Sequence, residues 1–483
     1  MIKEWESVIG LEVHLQLKTG TKVWCGCKSD YDETGINTHV CPICLGHPGA
    51  LPKLNKKVVD YAVKAALALN CQINNESAFD RKNYFYPDLT KAYQISQFDL
   101  PIAEHGHITI EVDGVKKDIG LTRIHMEEDA GKLVHQGDSI TSSSGSYADY
   151  NRAGVPLIEI VSEPDMRSAK EAKAYLEALK TIIAYTGVSD AKMEEGSLRC
   201  DVNISLREKG TEAFGTRAEI KNLNSFKAVE KAIEHEIDRQ SDLLDEGKKV
   251  KLETRTWDDA KGMTFSLRSK EEADEYRYFP EPDLPPVVLT QAYIDDLKAT
   301  LPRLPQARYQ DMLEDGIGEV EAKIITADKA LSDFYLASKA LCTDYKAIVN
   351  WLLGDILAKL NLEGKSLSEV DFAPKQLAEL IELINTKVIS SKIAKEVFLD
   401  AFESGKMPKA IVEEKGLVQI SNTDDLYPIV QRIVDANPQS VEDYKNGKAK
   451  ALGFLVGQMM KETKGKANPS MVNDLIIKAI EEK

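Results

Sequence analysis

Hydrophobic residues recur at period two up to about residue 290 and at period 3.6 beyond it. That change limits the chain to a sheet-bearing part followed by a helical one. The clearest case is Leu11-Glu12-Val13-His14-Leu15-Gln16-Leu17, where Leu11, Val13, Leu15 and Leu17 share one face and Glu12, His14 and Gln16 the other. Segments 9–17, 108–112, 157–161, 202–206 and 218–223 read as strands. Two helical stretches, 57–69 and 169–185, interrupt them. Pro280, Pro282, Pro285 and Pro286 withdraw ladder donors and close the sheet region. Helices follow at 328–340, 345–361 and 374–384. A last segment begins at Met407-Pro408 and ends in an amphipathic helix with Asn468 as N-cap, Pro469 in its first turn, and Val472, Leu475, Ile476, Ala479 and Ile480 inward. The fold class is therefore α+β: a mixed or antiparallel sheet domain over 1–292, an all-α domain over 293–406 and a small α-helical tail over 407–483. The serine-rich run 139–146 reads as a mobile loop.

At 483 residues, about three domains are expected. A hydrophobic content of 43% and a charged content of 29% are those of a soluble globular protein. No apolar run approaches the roughly 20 residues needed to cross a bilayer. The start Met1-Ile2-Lys3-Glu4-Trp5-Glu6 lacks a signal core, which predicts a cytoplasmic protein. A net charge of −16 excludes one that coats nucleic acid non-specifically. A local phosphate-binding patch is still allowed, and Lys445, Lys448, Lys450, Lys461, Lys464 and Lys466 form the most basic neighbourhood.

The strands present acids. Besides Glu12 and His14, Glu127, Glu128 and Asp129 follow one another, Glu159 sits among four aliphatics, Asp201 shares a face with Asn203 and Ser205, and Glu219 repeats the pattern. A carboxylate among aliphatics is costly unless it is paired. Five strands that each set a carboxylate opposite an aliphatic face suggest one acidic sheet face. An oxygen-rich set with a single imidazole suits Mg²⁺, Mn²⁺ or Ca²⁺ better than zinc, and such ions bridge phosphates. Glu12, His14, Glu127, Glu128, Glu159, Asp201 and Glu219 are the candidate ligands. Neither a Walker-type nor a dinucleotide-binding glycine motif is present. The basic-aromatic loop 80–88 offers Arg81 or Lys82 for phosphate and its aromatics for stacking, or else simply packs on the sheet.

Cys25-Gly26-Cys27 and Cys41-Pro42-Ile43-Cys44 are separated by thirteen residues, the spacing of a structural Cys₄ zinc site with no open position for chemistry. A redox role for Cys41 and Cys44 is the alternative, and His39 or His47 could replace one thiol. Cys71, Cys200 and Cys342 sit in apolar settings and read as core.

The runs 8–14, 80–88, 125–132, 157–164, 194–203, 221–225, 276–283 and 441–458 resemble, in order along the whole chain, the blocks of the GatB/GatE family. The length resembles the bacterial branch and leaves no room for the archaeal insertion. The resemblance implies a cradle-shaped catalytic domain, a helical domain and a tail of the YqeY type. It also implies a kinase-like activity, in which ATP phosphorylates the side-chain carboxylate of Glu-tRNA(Gln) or Asp-tRNA(Asn) and ammonia then displaces the phosphate. That ammonia would come through a channel from a glutaminase subunit, GatA, with GatC clasping the two in a heterotrimer. Carried over by motif, Glu12, His14, Glu128, Asp201 and Glu219 would line the Mg²⁺ and phosphoryl-transfer site, with Glu127 and Glu159 close by. Lys82 would lie on the ammonia path near Glu128, and the tail would touch the tRNA elbow. Some members lack the cysteines, so zinc here would support local folding. Two other readings compete: a tRNA-binding adaptor whose acids serve structure only, and a self-contained amide ligase or glutaminase. An adaptor has no reason to keep one acid per strand facing an anionic ligand. A self-contained enzyme would need a Cys–His or Ser–Lys constellation, and none is evident; Ser142 to Ser144 have no recognisable base.

Overall fold

The computed structural model describes residues 4–31, 35–135, 145–269, 276–418, 423–463, 466–467 and 469–482. Lys464, the N-cap position Asn468 and residues 139–144 of the serine-rich run lie outside them. The chain forms two compact units, Met1–Pro305 and Gln306–Lys483.

The first unit runs β1 (Trp5–Gln16), α1 (Lys56–Ala68), β2 (Gln72–Ile73), β3 (Glu76–Ser77), β4 (Asp80–Asn83), β5 (Tyr93–Ser96), β6 (Ala103–Val112), β7 (Val115–Glu128), β8 (Lys132–His135) and β9 (Ser146–Asp149). It continues with β10 (Pro156–Ser162), α2 (Ala169–Thr186), β11 (Leu198–Glu208), β12 (Ala218–Lys221), α3 (Phe226–Asp245), β13 (Glu253–Asp258), β14 (Met263–Ser269), β15 (Phe279–Pro280), β16 (Val287–Val288) and α4 (Gln291–Ala299). Among the described residues the main sheet has nine strands, in the order β14-β13-β12-β11-β1-β10-β7-β6-β2. Every neighbouring pair is antiparallel except β12 with β13.

The strict alternation of β1 fixes its place near the middle. Ile9, Leu11, Val13 and Leu15 are buried in one core with Val59 and Ala62 of α1, Tyr175 and Leu176 of α2, and Val229 and Ile233 of α3. The helices thus cover one face of the sheet, and the polar residues of the strands line the other. Helix α2 starts where Ser168 accepts the Glu171 amide and ends at Gly187, whose φ of +71° lets the chain turn away. Helix α3 is a third helical stretch where two were expected. Its N-cap, Ser225, accepts the Ala228 amide at 3.1 Å. Buried Glu236 and Gln240 interrupt its apolar stripe, which hides the period. Glu236 is matched by Arg239 at 2.7 Å and Arg255 at 2.9 Å.

In the second unit, helices Glu319–Ala327, Lys329–Lys339, Tyr345–Trp351, Leu357–Glu363, Pro374–Asn385, Ser391–Ser404 and Pro408–Glu414 share one apolar core. The predicted helix over 345–361 contains a π-helical turn, Leu352–Ile356. The segment after Met407 sends Ile411 and Val412 into this core, and a separate cluster begins at Leu426. That cluster holds Thr423–Ala436, Pro438–Lys445, Lys450–Glu462 and Pro469–Glu481, with Val472, Leu475, Ile476, Ala479 and Ile480 inward as the periodicity predicts. Cys71 and Cys200 are buried as expected, whereas Cys342 is only half-buried at the rim of the helical core. Among the described residues, no helix is long and apolar enough to cross a membrane.

Strand β6 passes close to the end of α1 at Gly106, where a Cβ would press on the Cys71 sulfur and lie 2.7 Å from the Leu69 carbonyl oxygen. Gly106→Ala should therefore destabilise the first unit by about 2 kcal/mol, seen as a lower thermal midpoint in calorimetry. An unchanged midpoint would show that this crossing has slack.

Candidate active site on the acidic face of the sheet

Register brings the acids together. His14 on β1 stands opposite Glu159 on β10 and Arg199 on β11, and Glu159 stands opposite His125 on β7. His14 Nε2 is 3.2 Å from Glu159 and 3.6 Å from Glu127, and His125 Nε2 is 3.4 Å and 3.8 Å from the same two carboxylates. One step along β1, Glu12 stands opposite Asp201, and Asn203 stands opposite Glu219 on β12. One oxygen each from Glu12, Asp201 and Glu219 lies within 4.8 Å of the others, as do the donor atoms of His14, Glu127 and Glu159. Asn203 donates to Glu12 at 2.8 Å and the Thr254 hydroxyl to Glu219 at 3.0 Å. Lys221 contacts Asp201 and lies 2.9 Å from Glu219.

The two clusters balance charge differently. Burial works against charge on His125, but Glu159 and Glu127 outweigh it and hold the ring's pKa up to about 9. Glu159 is held well below the usual carboxylate range by His125 and His14 in spite of its burial. Glu12 moves the other way: burial and then the charge of Glu159 push its carboxyl up, against the Asn203 hydrogen bond. Burial disfavours the Lys221 ammonium, yet Asp201 and Glu219 hold it on.

Glu128 is not part of either cluster. As the next residue along a pleated strand it points away from Glu127. It accepts from Lys91 Nζ, 2.7 Å from one oxygen and 2.8 Å from the other, and from the Ile95 amide at 3.0 Å. Lys82 lies over the Tyr276 ring at 4.7 Å, and against its burial Glu127 and Glu159 help hold its ammonium on. The Arg81 donors are directed to protein carboxylates, Glu281 at 2.7 and 2.9 Å and Asp283 at 3.2 Å, and its plane stacks on Tyr93. It ties β4 to the segment of Glu281 and Asp283, in keeping with the packing alternative for this loop.

The four thiols Cys25, Cys27, Cys41 and Cys44 lie within 4.8 Å of one another. The Cys41 and Cys44 sulfurs are 3.8 Å apart, the edge of about 3.8 Å that a tetrahedron of 2.3 Å zinc–sulfur bonds requires. The hydrogen bond from Cys25 is the main reason Cys44 is held as a thiolate near pKa 4, while Cys25 is pushed up and Cys27 rises to about 11, chiefly through burial. His39 turns its Nδ1 to the Asp30 carbonyl at 2.7 Å, and neither it nor His47 joins the group. In the second unit Lys445, Lys450 and Lys461 are exposed. Lys448 pairs with Asp443 at 2.9 Å and Lys466 donates to the Gly416 carbonyl.

Three contributors went unread in the sequence. Parity alone would have placed His125 beside Glu127 and Lys221 beside Glu219, two residues apart on one face. Lys91 carries no such signal, because it reaches Glu128 from a loop.

A family model described as the GatB/GatE catalytic domain matches residues 7–295, and one described as the GatB domain matches 333–480. The chain belongs to the GatB/GatE family, as the sequence blocks imply. Similar curated relatives are named as the B-type subunit of aspartyl/glutamyl-tRNA(Asn/Gln) amidotransferase. They include proteins of Carboxydothermus hydrogenoformans, 56% identical, Caldanaerobacter subterraneus, 55%, and Brevibacillus brevis, 53%, each aligned over 98% of both chains.

The imidazole and carboxylate ladder predicts a pH dependence. Because the folded pKa of His125 is raised, its contribution to stability is complete below pH 6.5 and is lost as pH rises through about 9. His125→Gln should lower the stability of the metal-free protein by about 3 kcal/mol at neutral pH, with the gap to wild type closing above pH 9 in denaturant titrations. A gap independent of pH would show that the ring is neutral.

Proposed function

We propose that this chain is the carboxylate-activating component of a tRNA-dependent amidotransferase. Its substrates are ATP, ammonia and the glutamyl or aspartyl group on Glu-tRNA(Gln) or Asp-tRNA(Asn). The observation that carries the proposal is the pair of acid clusters on the open sheet face, one of which contributes Glu12 to a cavity of about 310 Å³ that Val8, Leu11, Asn203, Phe214 and Arg217 also line. A free carboxylate does not react with ammonia. Its oxygen first attacks the γ-phosphorus of ATP and the bond to ADP breaks; ammonia nitrogen then adds to the carbonyl carbon, and phosphate leaves with the C–O electron pair while a proton is lost from nitrogen.

The all-oxygen set of Glu12, Asp201 and Glu219 fits Mg²⁺, which would offset the charge of the polyphosphate. Lys221 already neutralises part of this cluster and holds Asp201 and Glu219 side by side. Asn203 fixes the Glu12 carboxylate that a cation would keep ionised. The His14, Glu127 and Glu159 triad also brings its ligand atoms within 4.8 Å of one another, with the His125 ring, its pKa held up to about 9, beside it. Ammonia would be supplied by a glutaminase subunit, GatA, joined through GatC. The exposed Lys445, Lys450 and Lys461 are the residues of the tail that suit a tRNA backbone. The cysteine group fits one structural Zn²⁺.

Glu12→Gln, assembled with its partner subunits, should slow amide formation on mischarged tRNA with ATP and free ammonium by roughly 10²–10³-fold, without loss of glutaminase activity. Wild-type amidation would overturn the assignment of Glu12 to the activating site. Elemental analysis should find zinc at one ion per chain in wild type and none in Cys41→Ser; equal zinc in both would exclude the Cys₄ assignment.

A further inference from the structure

The cysteine knuckle touches the loop that carries Lys91. Its turn is closed by Leu45 N to Cys41 O and Gly46 N to Ile43 O, both 3.0 Å. Gly46 then adopts φ +66°, and a Cβ there would lie 2.6 Å from Lys91 Cγ and 3.2 Å from the Thr90 carbonyl oxygen. Only a residue without a side chain lets the two strands of chain pass so closely. At this crossing the Thr90 hydroxyl donates to the Cys44 carbonyl at 2.9 Å. The next residue, Lys91, sends its ammonium to Glu128, with 11% of the lysine side chain exposed and 3% of the glutamate. On the far side Gly154 separates Cys44 from Glu128: a Cβ there would lie 3.7 Å from Cys44 Cβ and 3.9 Å from Glu128 Oε2. Lys22 is fully buried beneath the knuckle and donates to the His39 carbonyl at 2.8 Å.

A lysine stem has many rotamers, and a buried ion pair is stable only when its geometry is held. We infer that Thr90 and Gly46 are positioning residues that seat the Lys91 ammonium on Glu128, and that the cysteine knuckle beneath them fixes this buried pair. The state of the thiols is then read out at Lys91, about two residues of chain away from the sulfurs through one hydrogen bond. The seating by Thr90 is independent of the amidotransferase reading; dependence on metal rests on the zinc reading.

Reductive methylation of the full chain, quantified by peptide mass spectrometry, tests this. In wild type Lys91 should label slowly beside exposed Lys445. Thr90→Val removes the donor and should raise Lys91 labelling about fivefold, the shift that loss of one ordinary hydrogen bond allows. Lys22 should stay protected and Thr90→Ser should return Lys91 to the wild-type rate. Wild-type labelling of Lys91 in Thr90→Val, or a Thr90→Ser chain that behaves like the valine variant, overturns the assignment. So does a valine variant in which Lys22 labels as fast as Lys91, because the knuckle itself would then have opened. In a second arm a chelator removes zinc, with metal content measured in parallel. Exposure of both Lys22 and Lys91 supports the knuckle's part, and exposure of Lys22 alone overturns it. A chain that never held zinc refutes the metal reading, and the Thr90 comparison then decides.

Discussion

Strand β1 is hydrogen-bonded along both edges, to β10 and to β11, and everything at the candidate site depends on that double pairing. A strand with two neighbours cannot slip by one residue without turning its leucines to water and its acids into the core. The helix layer over Leu11, Val13 and Leu15 therefore locks the register. The same lock sets His14 between Glu159 and Arg199, and Glu12 against Asp201. Hydrophobic burial on one face thus orders charge on the other.

Crowded carboxylates have to be compensated within a sheet that cannot rearrange. The fold does this in two chemically distinct ways. Around Glu127 and Glu159 it uses the His125 ring, whose pKa the two carboxylates hold up to about 9, and the His14 ring, 3.2 Å from Glu159 and shifted in the same direction. Around Glu12, Asp201 and Glu219 it uses one ammonium, from Lys221, against three carboxylates. The second cluster is the less balanced of the two. Both triads bring their ligand atoms within 4.8 Å of one another.

The pleat also divides labour between neighbours in sequence. Glu127 joins the ladder on the open face, while Glu128 turns to the loop that rests on the cysteine knuckle. One strand end therefore serves two environments, a charged surface and a buried pair.

The sequence by itself determined the α+β class, the passage from period two to period 3.6, the face on which Glu12 and His14 lie, the four-thiol group and the family. These follow from periodicity and short spacings, which are local. It missed α3, because buried Glu236 and Gln240 break the stripe that marks a helix. It grouped Glu128 with Glu127 where the pleat separates them, and it left Arg81 between phosphate and packing, with no sign of Glu281, two hundred residues on, to which it donates. Only the tertiary structure decided which strands are neighbours, that Lys221 enters the Glu12 cluster and that Lys91 closes on Glu128. Strand order and loop contacts join residues far apart in the chain, and no local pattern of side chains encodes which distant segment will stand opposite.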